Sequence, residues 1–375
     1  MTKRIECIEN TRRCVVKIGS ALLTRDGSGL DTEAMSSWVE QIAAIRKSGI
    51  EVVLVSSGSV AEGISRMGWE RRPTSLYKLQ AAAAIGQAGL IQAYQSFFEK
   101  HGLQTAQVLL THDDLSNRRR YLNARSTLKT LLSLRTIPIV NENDTVSFDE
   151  IRFGDNDTLG ALVGNLVDAE LLIILTDQQG LYDSDPRQNE QAQFIHDDDA
   201  MNAKLLAFAG DAGTDVGTGG MRTKVMAAQR AARSGCATII ASGREENVLG
   251  RIMNKEALGT FLHAGREPLV ARKQWIANQL KPQGQLLIDQ GAEKALNEAG
   301  RSLLPVGVVK VTGDFERGDV VECTSLQGAI LAKGLVNYSS AECVIIKGLS
   351  SRAIRDVLGY VDEEEIIHRD NLVIL

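Results

Sequence analysis

The sequence predicts an α/β fold: a mainly parallel sheet sandwiched by helices, followed by a small mixed β domain. Three observations lead there. Six strand-like apolar runs alternate with helical patterns through the first 265 residues or so, the rhythm of a parallel sheet with helices on both faces. Runs such as Ile137-Pro138-Ile139-Val140 are continuously apolar, as expected of strands buried on both sides. Around Glu267 to Pro282 the alternation stops, and from Gln285 onward come VGVVKV, GDVVEC, GAILAKGLV and a terminal NLVIL, separated by glycine turns. These read as a barrel-like or sandwich-like β domain. The expected division is therefore 1–266, a linker at 267–282, and 283–375.

In chain order, the expected strands are Cys14–Ile18, Glu51–Ser56, Thr105–Leu110, Ile137–Val140, Leu171–Thr176 and Cys236–Ala241. Helices are expected at Asp31–Ser48, Ser75–Lys100, Tyr121–Leu134, Thr158–Leu166, Asp198–Ala209 and Gly220–Ser234. The stretch LQAAAAIGQAGL has good helix propensity apart from its glycines, and its small residues suit close helix packing. Arg118-Arg119-Arg120 reads as a solvated face or an oligomer contact, with no catalytic role.

The 375 residues carry a net charge of −5 and are 43% hydrophobic. This balance gives no general attraction to nucleic acid or anionic membrane. No apolar run approaches bilayer-spanning length, and MTKRIECIEN lacks a signal-peptide core, so a cytoplasmic enzyme is expected. Cys7, Cys14, Cys236, Cys323 and Cys343 are odd in number and never spaced CxxC, which fits neither a disulfide framework nor a zinc site. Cys14 and Cys236 adjoin strands and read as small buried hydrophobes. The five histidines are dispersed, and no metal-ligand cluster is expected among the side chains.

The chemistry is expected where strands end. In open α/β sheets ligands gather outside the carboxyl ends of the strands. There stands NENDTVSFDEIRFGDND, Asn141 to Asp157. Asn141, Glu142, Asn143 and Asp144 suit a small polar substrate, with Asn156 and Asp157 closing over it; helix capping accounts for one of these residues, not for all. A second feature is Gly217-Thr218-Gly219-Gly220-Met221-Arg222-Thr223-Lys224, glycines leading into a helix. Close backbone approach, unpaired N–H groups and the positive end of a helix dipole suit phosphate; a flexible hinge before a surface lysine is the plainer alternative. The run matches neither GxxxxGK[ST] nor GxGxxG. Third is Lys17-Ile18-Gly19-Ser20, ending the first strand, with Ser56-Ser57-Gly58-Ser59 ending the second. Singly these are a solvated strand end and a helix cap; jointly they place a cation, hydroxyls and N–H groups at one sheet edge, as phosphoryl transfer requires. Thr176-Asp177 ends another strand and suits a nucleotide contact.

VVKIGS, LVSSGSVAEG, VNENDTV, GDND, LLIILTDQQGLYDSDPR and GTGGMRTK, in this order, resemble the glutamate 5-kinase family of the amino acid kinase superfamily across nearly the whole chain. FERGDVVE and AKGLVNYSSAE resemble the PUA domain that many bacterial members append. Ser56, Ser59 and Glu62 replace the more usual threonine and alanines, and Gln179 stands where lysine or an acid is common.

The resemblance implies phosphorylation of the γ-carboxylate of L-glutamate by ATP with Mg²⁺, the first step of proline synthesis. It implies that Lys17 binds ATP phosphate, that Ser57, Asp144 and Asn156 bind glutamate, and that Thr176 and Asp177 contact the nucleotide. Thr218, Gly219, Gly220, Met221, Arg222, Thr223 and Lys224 would hold its phosphates, with Asp157 organising Lys17 and Lys224. Proline as feedback inhibitor and a homo-oligomer, dimer or tetramer, are implied as well. The alternatives are a relative acting on aspartate, acetylglutamate, carbamate or a nucleotide, and an RNA-binding regulatory protein. From Lys281 to Leu375, 10 Lys and Arg stand against 14 Asp and Glu, a net of −4, which argues against phosphate-driven RNA binding.

Overall fold

The computed structural model describes residues 2–24, 29–146, 156–210, 220–265, 282–361 and 363–375. The chain divides into two compact units, Met1–Leu115 with Ala124–Pro268, and Ser116–Asn123 with Leu269–Leu375. The expected linker at 267–282 lies outside the described residues except for Pro282.

The first unit holds eight strands: β1 (Arg13–Ile18), β2 (Glu51–Ser56), β3 (Thr105–Leu110), β4 (Ile137–Glu142), β5 (Leu171–Thr176), β6 (Asp197–Asp199), β7 (Ala237–Ser242) and β8 (Thr260–His263). They form one sheet in the order β3-β4-β2-β1-β5-β7-β8-β6. Every pairing is parallel except β7 with β8. The chain runs from β1 through β2 to the edge strand β3, fills the gap between them with β4, then returns to the other side of β1 as β5. That reversal is a topological switch point, and four adjacent parallel strands, β4, β2, β1 and β5, end together there.

Alternation along β1 sorts its side chains between two layers. Cys14, Val16 and Ile18 join a core with Trp38 and Ile42 of helix Thr32–Lys47 and with Leu90, Tyr94 and Phe98 of helix Leu76–Glu99. Lys17 has the opposite parity and faces helix Asn156–Val167. The helix packs directly on the strand at Gly160: a methyl group there would stand in ordinary van der Waals contact, 3.5 Å from Lys17 Cβ and 3.4 Å from Leu172 Cδ1. Cys14 and Cys236 are both fully buried, as their apolar surroundings suggest.

One expected helix is corrected. Asp198–Ala209 is not a continuous helix: Asp197–Asp199 pairs with β8 as an edge strand, and only Lys204–Phe208 is helical. The carboxylate of Asp199 accepts from Met201 N at 2.9 Å and the amide of Asn202 from Lys204 N at 3.1 Å. Such local side chain–backbone bonds compete with a helical turn. Helices Thr2–Asn10 and Val248–Met253 and strand β8 are additions to the expected set.

The second unit carries a five-stranded mixed sheet: β9 (Gly284–Ile288), β10 (Val308–Gly313), β11 (Val320–Thr324), β12 (Ile330–Leu335) and β13 (Leu372–Ile374), ordered β10-β9-β11-β12-β13. Leu286, Phe315, Tyr338, Ile346 and Ile367 fill its core. A capping box between Ser339 and Glu342 starts helix Ser340–Ile346. Arg119 and Arg120 are exposed.

Candidate active site at the carboxyl edge of the sheet

At the centre of the strand-end edge lies a buried charge cluster. Asp157 is the second residue of helix Asn156–Val167, a position where the helix dipole favours an acid. Lys17 Nζ donates to its Oδ1 at 2.6 Å; Lys224 Nζ and Thr223 Oγ1 donate to Oδ2 at 3.1 and 2.8 Å. All three charged groups are buried, Asp157 to 0% exposure and each lysine to 4%. Burial alone pushes the Asp157 carboxyl up, but the two ammonium groups and the hydrogen bonds outweigh it and hold the pKa down at about 2. Two cations share this one carboxylate.

Lys224 stands one turn into helix Met221–Arg233, whose first turn contains no acid to neutralise the dipole. Gly220 precedes it in extended backbone, and Met221 and Arg222 complete the turn with Thr223. Thr218 and Gly219 lie outside the described residues. Thr176 and Asp177 end β5, beside β1; Thr176 Oγ1 donates to Asp177 Oδ1 at 3.1 Å, and Gly243 N donates to Thr176 O at 2.8 Å. Gly19 N bridges from β1 to Leu175 O at 3.1 Å.

On the other side of β1, the ends of β2 and β4 build a polar wall. Asn156 Nδ2 lies 2.9 Å from each of three acceptors, Ser56 O, Ser57 Oγ and Asn141 Oδ1. Asn141 Nδ2 in turn donates to Gln87 Oε1 at 2.8 Å. Ser59 Oγ donates to Asp144 Oδ2 at 3.0 Å. Among the described residues, Asp144 Oδ1 and Asn156 Oδ1 are buried without a hydrogen-bond partner. Burial raises the Asp144 carboxyl to about 6; nearby Glu142 adds to the rise, while the Ser59 hydroxyl and Arg72 oppose it. Buried polar atoms ordinarily find partners, so these two open acceptors in the wall suit a ligand that donates, such as an ammonium group.

The residues singled out from the sequence thus fall into two neighbouring groups along one edge: Lys17, Asp157, Thr223 and Lys224, and Ser57, Asn141, Asp144 and Asn156. Sequence reasoning missed Gln87 and Tyr94, whose hydroxyl lies 3.0 Å from Ser56 Oγ beneath the wall. Gln87 had a signal: it is the lone amide in AAAAIGQAGL, with Ala83, Leu90 and Tyr94 marking the buried face at helical spacing.

Residues 12–242 match the model of the amino acid kinase family, and 284–358 that of the PUA domain. The first match covers more than half of the chain and encloses every candidate residue of the site. The chain belongs to the amino acid kinase family. Within that family it is similar to proteins named glutamate 5-kinase. That of Thioalkalivibrio sulfidiphilus is 61% identical over 375 residues, all of both chains. That of Chromohalobacter salexigens is 59% identical over 370 residues, covering 99% of this chain and 98% of the other. That of Methylobacillus flagellatus is 57% identical over 366 residues, 98% of each. The polar wall and the charge cluster lie next to each other along one sheet edge, Asn156 and Asp157 being consecutive residues.

Proposed function

We propose that this protein is a glutamate 5-kinase, transferring the γ-phosphoryl group of ATP to the γ-carboxylate of L-glutamate as the first step of proline synthesis. The observation that carries the reading is the doubly bridged Asp157, with Lys17 and Lys224 on its two oxygens, beside a wall presenting open acceptors. A γ-carboxylate oxygen attacks the γ-phosphorus, the bond from phosphorus to the β,γ-bridging oxygen breaks, and ADP leaves. Glutamate's side chain, with a pKa of about 4.3, is already ionised at neutral pH, so no general base is needed. What the reaction needs is relief of repulsion between two anions, supplied by positioned cations and N–H groups.

In this reading Lys17 and Lys224 contact the transferring group and the phosphates, and Asp157 orients both. Gly220 to Thr223 offer backbone N–H groups to the phosphates, with Thr218 and Gly219 continuing that loop. Thr176 and Asp177 contact the nucleotide. Asp144 and Asn156 take the α-ammonium group and Ser57 an adjacent polar atom of glutamate. Mg²⁺ accompanies the nucleotide; such ions are held largely by substrate phosphates and water, with one or two carboxylates.

Proline carries the same ammonium and carboxylate and is proposed as a feedback inhibitor. A homo-oligomer and a cytoplasmic location are proposed from the family resemblance; among the described residues no helix is long and apolar enough to cross a membrane.

The test is ATP-dependent hydroxamate formation with Mg²⁺ and hydroxylamine, offering glutamate, aspartate and N-acetylglutamate in parallel. Product from glutamate alone supports the reading. Turnover of N-acetylglutamate instead would overturn the ammonium site.

A further inference from the structure

The wall's amides form a chain whose direction is fixed at both ends. A backbone N–H only donates and a backbone C=O only accepts. Glu142 N donates to Asn141 at 2.9 Å, so the Asn141 atom facing it is Oδ1. Ser56 O lies 2.9 Å from Asn156, so the atom facing it is Nδ2. With Asn141 Oδ1 also facing Asn156 Nδ2, the Asn141 amino group turns away, toward helix Leu76–Glu99, where Gln87 Oε1 receives it. Asn156 Oδ1 is then the atom left for a ligand.

Gln87 is held there by an unusually close helix contact. Its neighbour Gly86 abuts helix Ser59–Arg66 so tightly that an added Cβ would stand 1.9 Å from Ser59 O. Gln87 and Asn141 are both buried, and among the described residues Gln87 Nε2 has no partner. Among the described residues, the bond from this side chain to the wall is through its oxygen.

We propose that Gln87 is a positioning residue for amino-acid recognition: its side-chain oxygen locks the Asn141 amide, which locks Asn156 with Oδ1 toward the substrate. Gln87 acts through two other residues and touches no reacting atom. The inference rests on the proposed role of Asn156 in holding the amino acid. Without the Gln87 acceptor, the Asn141 amino group is buried unsatisfied, and the orientation of the two amides rests on the Glu142 N and Ser56 O bonds alone.

The experiment compares Gln87→Met, which keeps length and helix propensity but loses the acceptor, with Gln87→Glu, which keeps an oxygen for Asn141 and replaces only Nε2. Steady-state kinetics are read for each substrate separately, alongside Tm. The expected result for Gln87→Met is a KM for glutamate raised tenfold or more, with kcat and the KM for ATP within threefold. Gln87→Glu is expected to restore the KM for glutamate to within threefold of wild type. An unchanged KM in Gln87→Met overturns the proposal, as does a Gln87→Glu variant equally impaired. If Gln87→Met does not fold, Gln87→Leu takes its place under the same criteria. Wild-type turnover of the three acids is measured in the same series. Should an acid other than glutamate be the substrate, the reading of the substrate fails, and the Gln87 comparison is made on that acid.

Discussion

Lys17 and Asp157 are separated by 140 positions in the chain yet meet at 2.6 Å in a fully buried contact. The parity of β1 turns Lys17 toward the helix that begins with Asn156 and Asp157. Strand alternation and a helix start thus converge on one ion pair, which Lys224 extends to a triad.

Asp157→Asn leaves two buried ammonium groups without their anion. Removing one partner of a buried pair costs about 3–5 kcal/mol, so urea denaturation should show a loss of that order. At saturating substrates kcat should fall by about 10²–10³, the size seen when a transition-state electrostatic group is lost. Unchanged stability would mean that the lysines do not depend on this carboxylate.

Asp144 gives a pH dependence of opposite sign to Asp157. Its folded pKa of about 6 lies above the ordinary carboxyl value of 3.8. Between those values the folded protein holds a proton that the unfolded chain has released. Stability from this site therefore falls as pH rises from about 4 to about 6, by about 3 kcal/mol in all. Asp144→Asn should make the substrate-free protein more stable at pH 7.5 by about 2 kcal/mol and leave it unchanged near pH 4, while raising the KM for glutamate at least fiftyfold. The wild-type KM for glutamate should rise as pH falls below 6, when Asp144 takes up its proton. Denaturation and kinetics at the two pH values check both signs; an Asp144→Asn protein with an unaltered KM would contradict the assignment.

Gly86→Ala tests the route from helix packing to the site. An added methyl would stand 1.9 Å from Ser59 O and 2.4 Å from Gly63 N, and backbone must move to admit it. Overpacking of this kind costs about 1–3 kcal/mol. Because Ser59 holds Asp144, the KM for glutamate should rise more than the KM for ATP. Equal rises in both would contradict this route.

The sheet was largely legible because strands buried on both faces are continuously apolar: Glu51–Ser56 and Leu171–Thr176 are found where expected. Strand β6 was not legible. Three consecutive aspartates carry no apolar signature, and their place beside β8 depends on tertiary pairing. Lys17, Ser57 and Asp144 were legible as polar residues at or just past the ends of apolar runs, and Asn156 as a polar residue opening a helix. Gln87 was legible only as a buried-face amide, because its proposed role comes from the approach of two helices through Gly63 and Gly86. Sequence periodicity marks a buried face without naming what that face meets.

The most direct test of the account is hydroxamate formation from ATP and L-glutamate by wild type and Lys17→Ala, both at saturating substrate and with folding verified by Tm. The account predicts product from the wild type and a kcat lowered by about 10³ in the variant, in keeping with loss of a central phosphate-binding charge. A kcat within tenfold of wild type would show that Lys17 does not stabilise the transferring phosphoryl group, and the centre of the proposed site would have to be sought elsewhere.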